Sequence, residues 1–148
     1  MATPVTAASS ASLEWVTVVQ DLFLEGAPPA RIAAWLDGRI TSGEGYVVVR
    51  DMRAISGFDA TILVDAHGRA KALTVWYRDL APPSLADAEA LLGPAGRHAS
   101  RLFDLVFADT TRHLDDGGYL VIACSATHDR RPSEERFLVG IALTVMGR

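Results

Sequence analysis

His113, Asp115 and Asp116 stand together in Thr-Arg-His-Leu-Asp-Asp-Gly-Gly, and they are the chain's closest approach to a catalytic or metal-ligating set. An imidazole beside two carboxylates can exchange protons near neutral pH or hold a divalent cation. No further ligand stands at a diagnostic spacing, and the Asp-Gly step is also what turns a chain into its next strand. His67 lies in the turn Asp65-Ala66-His67-Gly68, while His98 and His128 fall in other loops without a recognisable nucleophile motif beside them. Cys124 follows Val121-Ile122-Ala123, an apolar setting that suits a small hydrophobe better than a reactive thiolate. Gly43-Glu44-Gly45 is too short for a phosphate-binding loop and lacks its Lys. The residues therefore name no cofactor, no metal and no catalytic group, and the chain does not read as an enzyme.

Other residues suit recognition better. Arg130, Arg131 and Glu134 belong to a mixed-sign run between two strands, Asp129 to Arg136. The plain account is a solvated loop with ion pairs of little energetic value. The functional account is the tip of a binding surface, since loops on a rigid sheet are common recognition sites. Trp76 and Tyr77 close a strand. Core packing explains most such aromatics, but a Trp76 on the solvent face would anchor a partner.

Composition narrows the classes further. With 148 residues, 49% hydrophobic and 22% charged, the chain suits one folded domain rather than a disordered one. A formal charge of −4, from 14 basic and 18 acidic residues, argues against a nucleic-acid partner. One cysteine precludes an intrachain disulfide. The segment Met1 to Ser12 has neither a basic nor an apolar signal-like region, and no apolar run is long enough to span a bilayer. The expectation is a cytoplasmic protein without a membrane segment.

Short strands must position these residues. Arg136 to Met146 alternates Phe137, Val139, Ile141, Leu143 and Val145 with mostly small residues, which predicts a strand that turns the larger set to the core. Arg69 to Tyr77 has Arg69, Lys71, Leu73, Val75 and Tyr77 on one face and Ala70, Ala72, Thr74 and Trp76 on the other. Neither face is cleanly polar, so the pattern does not choose between them. Upstream, Ser12 is a candidate N-cap for a helix over Leu13 to Glu25, with Trp15, Val18, Val19, Leu22 and Phe23 at helical spacing. The β-branched run from Val16 to Val19 leaves a strand open there. Pro29 opens a short helix to Asp37, with Ile32, Trp35 and Leu36 on one face. Strands follow over Tyr46 to Met52, Phe58 to Asp65 and Arg69 to Tyr77.

The pattern then repeats. Ala27-Pro28-Pro29 recurs as Ala81-Pro82-Pro83, and Ala72-Leu73-Thr74-Val75 as Ala142-Leu143-Thr144-Val145. Ser84 and Asp87 form a capping box for a helix with Leu85, Ala88, Leu91 and Leu92 as its buried stripe, stopped by Gly93-Pro94. Strands follow at Leu102 to Ala108, Tyr119 to Ala126 and Phe137 to Met146, with polar connections over 109–118 and 127–135. The expected fold is α+β. A mostly antiparallel sheet of about six strands comes from two helix-βββ units, 27–80 and 81–148. Helices pack on one face and an N-terminal helix precedes them. The expected organisation is a disordered tail, 1–12, and a single domain, 13–148.

The run Ser84 to Pro94 followed by three strands resembles the helix–Gly–Pro entry of the β-lactamase inhibitory protein and of small outer-membrane assembly lipoproteins of the BamE type. The inhibitory protein is a tandem of two such units whose curved sheet grips a partner protein. A lesser resemblance, in size, acidity and an opening helix before three strands, is to type III secretion chaperones. The chain has neither the inhibitor's disulfide pairs nor a lipid-attachment cysteine, so the resemblance implies an architecture and not a target. The functional expectation is a non-catalytic domain binding another protein through its sheet face or loops, as an inhibitor, immunity protein or chaperone does. The alternative is a small-ligand binder or enzyme with His113, Asp115 and Asp116 at a pocket mouth. A homodimer through a free edge of the C-terminal strand is a further expectation.

Overall fold

The computed structural model describes residues 13–53, 59–76, 83–92, 96–100, 105–114, 117–127, 132 and 137–147 of the 148. Among them the fold is α+β, with helices α1 (Glu14–Leu24), α2 (Pro29–Leu36) and α3 (Leu85–Leu92). Helix α1 starts from Leu13 without a side-chain cap and buries Trp15, Val16, Val19, Leu22 and Phe23. The helix wins over the β-branched run because this stripe faces the core, although it is rotated from the expected one: Val16 is inside and Val18 is exposed. In α2, Pro29 occupies the first turn, where its missing N–H costs nothing, and Ile32, Ala33 and Leu36 are buried. Trp35, expected on that face, is covered over about two-thirds of its surface and 36% exposed. Helix α3 begins with a reciprocal capping box. The Ser84 N–H donates to Asp87 Oδ2 at 3.0 Å and the Asp87 N–H to Ser84 Oγ at 3.1 Å. Its buried residues are Leu85, Ala88 and Leu92.

The strands are β1 (Arg39–Gly43), β2 (Tyr46–Arg50), β3 (Ala60–Val64), β4 (Ala70–Trp76), β5 (Gly96–Ser100), β6 (Leu105–His113), β7 (Tyr119–Thr127) and β8 (Leu138–Met146). They form one sheet in the order β1-β2-β3-β4-β8-β7-β6-β5, antiparallel throughout. Each half of the chain is a four-stranded meander, and the two meet where β4 pairs with β8. There Leu73 is opposite Leu143, Ala72 opposite Thr144 and Thr74 opposite Ala142. The two Ala-Leu-Thr-Val copies thus run past each other about a local twofold axis between the leucines. One core forms on this side: Leu73, Val75, Ile62, Ile122, Ile141 and Leu143, all at most 1% exposed, share a cluster with the buried stripes of the helices.

Five expectations need correction. The sheet has eight strands and not about six, because β1 and β5 were unforeseen. Both are edge strands rich in polar or small residues, without the alternation that marks a half-buried strand. His98 consequently lies on β5, not in a loop. Strand β6 runs on to His113, so the polar connection expected over 109–118 is a continuing strand for half its length. Finally, β8 has no free edge. It is paired on both sides, by β4 and β7, which removes the edge that the homodimer expectation used. Its alternation also breaks at a bulge in β8, where Val139 is the extra residue between Gly140, opposite Ser125, and Leu138, opposite Ala126. Leu138 therefore enters the core while Phe137 stays half-exposed and Val139 is only partly covered.

Candidate functional site

The helices share one side of the sheet with the core, and the other side is left uncovered among the described residues. Register fixes which residues lie there. Thr61 and Leu63 of β3, Ala72, Thr74 and Trp76 of β4, and Ala142, Thr144 and Met146 of β8 alternate with the core residues. Tyr119, Val121, Ala123 and Ser125 of β7 continue the same face. Among the described residues in regular register, these four central strands place no Asp, Glu, Lys, Arg or His on this side; Lys71, at the β4 bulge, stands at its margin. Charge appears only outward from them, with Arg39 and Arg50 on β1 and β2 and Asp109 and His113 on β6. An uncharged middle with a charged rim is the layout of a protein-binding patch.

Trp76 is the largest side chain of this face and is 51% exposed. It lies opposite Gly140, and a Cβ built there would come within 2.8 Å of the indole Cε3 and 2.9 Å of the Val75 carbonyl oxygen. Gly140 is therefore glycine because the indole and the neighbouring backbone occupy the space. The glycine in turn gives the ring a flat seat that fixes it with one side free. The same device recurs at the edge, where the Tyr46 ring packs over Gly43 of β1. Beneath Trp76, the Ser125 hydroxyl donates to the Gly140 carbonyl at 3.3 Å. Leu63, Tyr46, Tyr119 and Met146 are the other large exposed residues of the face. An anchored aromatic loses little side-chain freedom when a partner covers it, which is why such residues suit interface centres.

Among the residues singled out by sequence, Trp76 falls on the uncovered face. Tyr77, Arg130, Arg131 and Glu134 lie outside the described residues, as do Asp115 and Asp116. His113 ends β6, exposed, with its ring 4.9 Å from that of Tyr119 at a tilt of 58°. Among the described residues no group of His, Cys, Asp or Glu is arranged to hold a metal ion. Cys124 is fully buried opposite Ile141, and burial pushes its thiol up to about 12 from 9.0. No thiolate nucleophile is available there at neutral pH. Sequence reasoning noted Tyr46 only as a strand aromatic and missed Leu63, Tyr119 and Met146. Their signal was parity: each alternates with residues that the core claims.

No described helix is long and apolar enough to cross a membrane. No family model matches the chain, and neither a curated protein nor a solved structure matches it.

Proposed function

We propose that this chain is a non-catalytic interaction domain that binds another protein through the uncovered face of β3, β4, β8 and β7. The observation that carries this reading is an uncharged strip across four strands, anchored at one end by a seated Trp76, with the helices on the opposite side. The tandem helix-and-strand order supports it through the resemblance to inhibitory proteins that grip partners with a sheet. A chaperone or immunity protein would use such a face in the same way. The halves 27–80 and 81–148 are proposed as copies of one unit, supported by the crossing Ala-Leu-Thr-Val segments.

The test is partner capture with tagged full-length chain and matched variants. Thr74→Arg puts a charge at the middle of the strip, and Trp76→Ala removes the anchor, which at interface centres costs about 2 kcal/mol or more of binding. Thr17→Arg, on the exposed side of α1, is the control. The expected result is that both face variants lose a partner retained by wild type and Thr17→Arg, with all melting curves cooperative. Equal capture by all four proteins would refute the reading.

A further inference from the structure

We infer that the cavity between the β3–β4 hairpin and the end of β8 is a binding site for a small organic anion, one with a carboxylate or phosphate head and a short apolar body. The cavity measures about 680 Å³, a volume typical of small-molecule sites. Its walls divide by chemistry. Val64, Val145 and Met146 offer apolar surface, while His67, Arg69 and Lys71 bring three basic side chains to one opening.

Only one acid, Asp65, is among the lining residues, and its oxygens are committed. Oδ1 accepts from the backbone N–H groups of His67 at 2.8 Å and Arg69 at 2.9 Å, and Oδ2 accepts from Arg69 Nε at 3.2 Å. Asp65 thus shapes the turn and balances Arg69. Lys71 is left over: it is exposed, and no ion pair among the described residues includes it. In a chain of formal charge −4, a cavity with a surplus of positive charge is a local reversal of sign. Such a reversal attracts an anion, whose head would meet the Lys71 ammonium as a charge-assisted hydrogen bond.

The position of Lys71 agrees with that role. The bulge that pairs Val64 with Ala70 skips Lys71 on β4 and turns it away from regular pairing with β3. Next along the ladder, Ala72 is opposite Thr144, so the end of β8 and its Met146 form the facing wall. This site does not depend on the sheet-face reading. It lies at the margin of that face and uses a different kind of ligand.

Isothermal titration calorimetry with octanoate, octyl phosphate, inorganic phosphate and uncharged octanol tests it on the full chain. Saturable binding of octanoate or octyl phosphate, with octanol silent, is expected. Stronger binding of octyl phosphate than of octanoate would assign the head as phosphate, and the reverse as carboxylate. Inorganic phosphate should bind more weakly than octyl phosphate, because it leaves the apolar wall unused. Lys71→Met should weaken binding about tenfold or more, and Lys71→Arg should retain it. Thr17→Arg, remote from the cavity, should bind as wild type. No saturable binding of either octyl anion, equal binding of octanol, or an unchanged affinity in a folded Lys71→Met protein would overturn the inference.

Discussion

At the scale of single residues, burial sets what chemistry a side chain can do. Cys124 illustrates why. Its side chain lies on the core side of β7 at full burial, and desolvation pushes its pKa up to about 12 because a thiolate there would have no water around it. In the unfolded chain the thiol titrates near 9.0, so above that pH the unfolded state has lost a proton that the native state still holds. Stability from this group is therefore complete below about pH 9 and is lost as pH rises toward 12. The expected outcome is that native protein at pH 8 reacts with a thiol-specific chromogenic disulfide only as fast as it unfolds, whereas denatured protein reacts at once. Rapid native reaction would mean that the strand is open at Cys124. Asp65 shows the opposite direction. Burial disfavours its carboxylate, but the backbone N–H groups of Arg69 and His67 and the Arg69 charge outweigh that and hold its pKa below 3.8. Its contribution is present above that value and falls away in acid.

At the scale of elements, stability rests on how each one starts, stops and bends. Helix α3 is only eight residues long, too short to persist without its cap and its buried side. Ser84 serves twice, capping α3 and forming a bridge to Phe137 at the entry to β8. Ser84→Ala should cost about 1 kcal/mol in chemical denaturation, and Ser84→Asp should recover much of it by restoring an acceptor to the Asp87 N–H. An unchanged midpoint in Ser84→Ala would show that the box is decorative. This cap was legible in the sequence, as were all three helices and the six strands with an apolar side. What stayed hidden has a physical reason in each case. Arg39-Ile40-Thr41-Ser42-Gly43 forms β1 by borrowing the β2 ladder, and nothing on it is buried, so hydrophobic pattern could not mark it. The bulge at Val139 changes the parity of β8 through a two-strand geometry that one strand's letters do not contain. The same limit left the face of Trp76 undecided. Thr, Ala and Val lie on the uncovered side of the sheet, and they are compatible with either side of a strand.

At the scale of the whole molecule, the last strand is the centre and not the end. β8 is flanked by β4 from the first half and β7 from the second, so neither half can close its sheet against the other until β8 is in place. Its buried side chains Leu138, Ile141, Leu143 and Val145 each contribute about 1.5–3 kcal/mol by burial, and together they rival the stability of an ordinary domain. Removing residues 138–148 would also strip the hydrogen-bonding partners from two central strands at once, leaving β4 and β7 as open edges. The expected outcome is loss of the cooperative thermal transition for the entire chain, with protease sensitivity in α1 and α2 as well as in β7. Leu143→Ala should act as a milder version, costing about 2–5 kcal/mol while keeping a single transition. Leu73→Ala, across the local axis, should cost a similar amount but combine with it non-additively, because each leucine packs against the space left by the other. If the truncated chain instead kept a cooperative melt, with α1 and α2 still resistant to proteolysis, then residues 13–76 would hold themselves together. The sheet would then be two abutting units rather than one body closed by its final strand.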